Sequence, residues 1–230
     1  MAPATTTIRP RRPGDPEVNL TIYGVAHRAM RQGARELAAL AHTLRDGTVP
    51  LTPARAKALA EYVRLMTEEI HLHHHGEDTV GWPIIQASAG HAVDLEPFTA
   101  DHDQLDPILD RLRRASTLLV THPGDLTARE TLATDSTVLR DLLDEHIDEE
   151  ERDIFPIIRT YVSVADFQSW EHQMMTNYPK KNLWFLIPWS VSAIPAAEVP
   201  AALALTPLAF RIANRLFSGK YRRFHQLIFG

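Results

Sequence analysis

The chain has 230 residues, 44% hydrophobic and 23% charged, enough for one substantial core with an appendage. It contains no cysteine, which excludes disulfides, iron–sulfur ligation and thiol chemistry carried by this chain. The net charge of −5 conceals an asymmetry: residues 1–176 carry 17 Lys and Arg against 28 Asp and Glu, a balance of −11, whereas residues 177–230 carry seven against one, or +6.

Residues 1–16, MAPATTTIRPRRPGDP, are basic and proline-rich with no apolar stretch, so a disordered arm and a cytoplasmic protein are expected rather than a secretory signal. Helical periodicity begins near Pro16 and runs to Arg45, with Tyr23, His27, Met30, Ala34, Leu37 and Leu44 along one stripe. Asp46-Gly47 ends it. Thr52-Pro53 then supplies an N-cap and first-turn residue for a second helix reaching Gly81, kinked or ended near Pro83. A third helix is predicted from Leu95 to Val120, with Pro97 in its first turn and Pro107 expected to kink its interior. The fourth runs from Thr127 to Pro156 or a little beyond. Short connections between long helices predict an all-α, up-down-up-down four-helix bundle over residues 17–162. Residues 163–230 form a C-terminal helical extension.

One motif occurs twice, 73 residues apart: HHHGEDTVGWPII at 73–85 and HIDEEERDIFPII at 146–158. His73 aligns with His146, Glu77 with Glu150 and Pro83 with Pro156. A histidine and a carboxylate four residues apart share one helix face, about 6 Å apart along the axis. His27 and His73 each lie about 22 residues from the first turn, and Glu77 and His102 each about 12 from the second, at ~1.5 Å per residue. His102 and His146 are each about 22 residues from the third turn at the same rise. All six side chains are therefore predicted at one height in the bundle. Imidazole nitrogen with carboxylate oxygen suits iron, manganese or zinc. The rival ferritin-type site needs Glu-x-x-His on two helices, and the one instance, Glu68 to His71, falls off the face used by His73 and Glu77.

On these residues, across roughly 17–160, the chain resembles the hemerythrin-like family, the HHE cation-binding domain. The aromatic-Pro pairs Trp82-Pro83 and Phe155-Pro156 add to the likeness. The resemblance implies two iron ions, with manganese or zinc less favoured, held by His27, His73, Glu77, His102, His146 and Glu150, the two glutamates bridging. Oxygen-carrying hemerythrins have a second histidine one turn after the third-helix ligand, where this chain has Asp106. Asp106 and Tyr23 are thus added as candidate ligands, and peroxide or nitric oxide is favoured over dioxygen carriage. His71, His74 and His75 are expected to face solvent or to stand behind the ligand His73, and Glu149, Glu151 and Asp153 to form a solvated face.

The resulting expectation is a non-haem di-iron protein that binds or reacts with a small oxidant, with enzymatic turnover left open. The alternative is a metal-dependent redox sensor or binding module signalling through the extension. That extension opens with LWFLIPWSVSAI at 183–194, too short and interrupted to span a bilayer, and ends in a basic amphipathic stretch. It is expected to pack along the bundle with its positive charge against the acidic body and to shield the site; a membrane surface or protein partner is the alternative use. No nucleic-acid partner is expected.

Overall fold

The computed structural model describes residues 7–230. Of the expected N-terminal arm, residues 1–6 lie outside the described residues. Residues 7–16 carry no helix but are tied to the segment around residues 161–166: Arg9 N–H donates to Asp166 at 3.0 Å and Arg11 N–H to the Tyr161 carbonyl at 2.8 Å.

The described residues are helical, with no strand among them. Helix α1 spans Thr21–Arg45, later than the Pro16 start read from periodicity, because the Asn19 side chain accepts the Thr21 N–H at 3.0 Å and holds a turn there. Helix α2 spans Pro53–Gly76, with Thr52 capping the Arg55 N–H as expected. Short α3 (Trp82–Ala89) continues it. Helix α4 covers Glu96–Thr121 and passes through Pro107 as one helix. Helix α5 covers Leu126–Glu149, its first turn closed by Asp125 accepting from the Ala128 N–H at 2.8 Å, and short α6 (Phe155–Tyr161) continues it. The extension contributes α7 (Val164–Asn177), α8 (Leu183–Ser192), α9 (Val199–Ala204) and α10 (Leu208–Phe229).

Neither prolines nor chain reversal ends α2 and α5. Each passes into a five-residue π-helical turn, Glu77–Gly81 and Glu150–Ile154, whose wide ring closes from the Trp82 N–H to the Glu77 carbonyl and from the Phe155 N–H to the Glu150 carbonyl. Pro83 and Pro156 then occupy the first turn of a fresh α-helix, where a missing N–H costs nothing. The motif repeat is therefore a repeat of backbone form, and each wide turn begins on the repeated glutamate.

In the bundle α1 packs on α5, α5 on α4 and α4 on α2. The Arg111 guanidinium fork on Asp135 (2.9 and 3.1 Å) ties α4 to α5. Between α1 and α2 the fourth side is filled by α8, backed by α10. At Gly33 of α1, an added Cβ would lie 3.0 Å from both the Trp189 ring of α8 and the Tyr62 hydroxyl of α2, so the absent side chain lets the extension enter. The expectation of charge against charge is corrected here. The extension is held mainly by buried Phe185, Trp189, Tyr221 and Ile228; among the described residues Arg211, Arg215, Arg222 and Arg223 form no ion pair, and His225 meets Glu36 of α1 at 3.0 Å. Each such apolar side chain contributes about 1.5–3 kcal/mol, more than an exposed ion pair gives. Among the described residues no helix is long and apolar enough to cross a membrane.

Two large apolar clusters result, with a small third one of Val25, Ile194 and Ala202 under the extension. One fills the bundle around Met30, Leu59, Ile70, Leu105 and Leu143; the other, around Tyr23, Trp82, Phe98, Phe155 and Trp170, closes one end. A polar layer lies between them on all four long helices.

Candidate metal centre

That layer contains every one of the six residues singled out from the spacing. His27, His73, Glu77, His102, His146 and Glu150 are all buried. His73 Nε2 is 2.9 Å from Glu77 Oε1, and His102 Nε2 is 3.5 Å from Glu77 Oε2. Across the layer, Glu150 Oε2 lies 3.4 Å from His27 Nε2 and 3.6 Å from His146 Nε2. The His102 and His146 Nε2 atoms are 3.2 Å apart. Two groups of donor atoms are close enough to share an ion: His27, His73 and Glu77, and His74, Glu77, His102 and His146. Glu77 belongs to both.

Of the two places open to His74, facing solvent or standing behind the ligands, the structure excludes the first. His74 is 4% exposed, stacked on His102 at 4.4 Å between ring centroids and edge-on to His146 at 5.1 Å. Its flanking neighbours His71 and His75 are exposed. In the repeat His74 aligns with Ile147, so the second cluster gains an imidazole where the other helix has a core side chain. Tyr23 is in the layer, its hydroxyl donating a short hydrogen bond to Glu77 Oε1. Asp106 is not: it is 58% exposed and paired with His71 at 2.9 Å on the surface between α4 and α2.

Sequence reasoning missed a second layer of carboxylates. Glu151 Oε1 lies 3.0 Å from His27 Nδ1, Asp78 Oδ2 3.0 Å from His102 Nδ1, and Asp101 Oδ2 3.5 Å from His146 Nδ1. The Glu151–His27 contact is a hydrogen bond, which fixes that ring's orientation and tautomer so that Nε2 points inward as a lone-pair donor, while Asp78 and Asp101 stand at ion-pair distance behind the other two rings. Glu151 is thus no simple solvated charge. The repeat carried the signal, since Asp78 and Glu151 are aligned and each follows its buried glutamate. The aromatic partners repeat as well: Phe155 stacks on His27 and Trp82 on His102.

The layer's electrostatics are those of crowded donors. Burial, then the neighbouring His102, lowers His146 to about 4, and burial with His102 takes His74 well below the usual imidazole range. Burial raises Glu150 far above the usual carboxylate range, with Glu77 adding to it. For Glu77 burial is outweighed by His73, His74 and His102, which hold it low. Nε2 of His27, His73 and His74, Glu77 Oε2 and both Glu150 oxygens are sealed from solvent without a hydrogen-bond partner. Each such group costs about 1–3 kcal/mol if left unpaired. Cations bound by nitrogen and oxygen would pair all of them at once, so donor set and orphaned atoms fit a metal centre.

A helical bundle enclosing a buried histidine–carboxylate layer defines a metal-binding domain. The profile of the hemerythrin HHE cation binding domain matches residues 21–158, and the chain belongs to that family. Comparison with curated proteins and with solved structures returned no match.

Proposed function

We propose that the domain holds two metal ions, iron in preference to manganese or zinc, and binds or reacts with a small oxidant: hydrogen peroxide, nitric oxide or dioxygen. The observation that carries this reading is the membership of Glu77 in both buried donor clusters. His27 and His73 would hold one ion and His74, His102 and His146 the other, with Glu77 and Glu150 common to both. When bound, the metals supply one-electron redox capacity and open coordination positions.

The chain's own part is positional. The carboxylates behind His27, His102 and His146 keep those rings in place, and the apolar clusters on either side exclude bulk water. Burial, reinforced by Glu77 and Glu150, holds the Tyr23 phenol well above its usual pKa, so it stays protonated and donates to Glu77.

Metal analysis after growth with iron tests the reading. Two irons per chain are expected in the native sequence, about one in His74→Ala and close to none in Glu77→Ala. Peroxide and nitric oxide consumption by the loaded protein then separates the oxidants. A Glu77→Ala protein that keeps both irons would refute the assignment.

A second reading, a sensor that signals through the extension, has its own support. Trp170 and Met174 of α7 press on Gly81 and Gly76, on either side of the π turn that begins at Glu77. Limited proteolysis within 163–230, with and without metal, tests it; identical cleavage patterns count against a switch.

A further inference from the structure

Where the extension parts α1 from α2, two adjoining cavities open to the surface, an outer one against the extension and an inner one against the histidine layer. The outer one, about 140 Å³, is walled by Val25, Ile194, Leu203 and Phe210. The inner one, about 160 Å³, lies against Leu72 and Tyr178 and ends on Tyr23 and His73. Ile22, Ala26, Glu69 and Leu186 line both, which makes them two parts of one passage from α9 and α10 to the histidine layer. An apolar cavity of about 150 Å³ takes up a molecule the size of benzene. Most of the outer wall comes from α8, α9 and α10, beyond the residues matched by the cation-binding domain.

The carboxylate common to both cavities is Glu69. The residue keeps some exposure, but its Oε2 is sealed and has no hydrogen-bond partner. Burial, opposed by His73 and Tyr178, brings this carboxyl up to about 7, so near neutrality it is available both as acceptor and as donor. A ligand hydroxyl inside an otherwise apolar passage needs a hydrogen-bond partner, and partly exposed Glu69 is the carboxylate that both cavities offer it. The walls favour an apolar body, the size limits it to a ring or a short chain, and a second negative charge would be repelled by Glu69.

We propose that this passage binds a neutral aryl or short alkyl molecule ending in a hydroxyl or hydroperoxide, its apolar body in the outer cavity and its O–H at Glu69. The consequence for reactivity rests on the di-metal reading: an organic hydroperoxide bound this way has its reactive end directed towards Tyr23 and His73. Binding itself does not depend on that reading.

The test uses the full, iron-loaded chain and 2-phenyl-2-propanol, the stable alcohol counterpart of cumene hydroperoxide, titrated by calorimetry. One saturable site is expected, weakened at least tenfold by Leu203→Trp, which fills the outer cavity, and by Glu69→Leu. Leu203→Trp should also slow consumption of cumene hydroperoxide at least tenfold while leaving iron content and hydrogen peroxide consumption unchanged. If Leu203→Trp does not fold, Ser190→Phe, which faces the same cavity from α8, replaces it. Absence of saturable binding to the native sequence, or undiminished binding by the filled variant, overturns the proposal. Alcohol binding without consumption of any peroxide upholds the site and refutes peroxide as the oxidant; hydrogen peroxide consumption without alcohol binding does the reverse.

Discussion

Replacing the carboxylates behind the histidines should separate the two halves of the metal centre. Asp78→Asn removes the charge behind His102, which belongs with His74 and His146; Glu151→Gln removes the one behind His27, which belongs with His73. Loss of such an outer partner typically lowers metal affinity about 10–100-fold, or about 1.4–2.7 kcal/mol. The two changes should not be equal. Asp78 is 28% exposed and its other oxygen is fixed by the Thr99 hydroxyl at 2.8 Å, whereas Glu151 is 41% exposed on a longer side chain. Water screens the second more, so Asp78→Asn should approach ~100-fold and Glu151→Gln ~10-fold. The assay is metal retained per chain against chelators of graded affinity. Each variant should release one ion at lower chelator strength and keep the second close to native behaviour. Native-like retention of both ions, or parallel loss of both in either variant, would refute the role given to the outer carboxylates.

Three further outcomes follow from the packing. At Gly81 an added Cβ would bring three atoms of the Trp170 ring within 2.8 Å, so Gly81→Ala should destabilise by about 1–3 kcal/mol. Gly24→Ala, with open space at its Cβ inside α1, should instead stabilise by about 0.5–1 kcal/mol, and thermal melts of the pair check both signs. Trp189→Ala should cost about 3–5 kcal/mol, since that ring joins α8 to the bundle at Gly33; a loss well under 1 kcal/mol would mean that the extension is a detachable appendage. The Glu69 carboxyl, raised from 4.5 to about 7, binds its proton more tightly folded than unfolded. Its stabilising contribution is complete below pH 4.5 and disappears as pH rises to 7 and beyond. Across that window Glu69→Gln should therefore gain stability relative to the native sequence, and parallel denaturation curves would contradict the shift.

The four long helices, the Thr52 cap and the six buried histidines and glutamates were legible in the chain because each depends on local spacing. Thr52 caps α2 whatever surrounds it, and His73 with Glu77 share a face by the pitch of a helix. Local spacing could not tell His74 from His71 and His75, since which of three neighbouring histidines is buried depends on how α2 is rotated against α4 and α5. Nor could it separate Asp106 from an inward-facing residue four positions beyond a ligand; its partner His71 lies 35 residues away in sequence. Glu151 and Asp78 had a signal in the repeat, but a run of acidic residues reads as a solvated face until the histidines of other helices are seen against it. Residue order and helical pitch determined the donors and their height in the bundle. Rotation of each helix, fixed by contacts between residues far apart in the chain, decided which of them meet, what stands behind them and how the extension closes the fourth side.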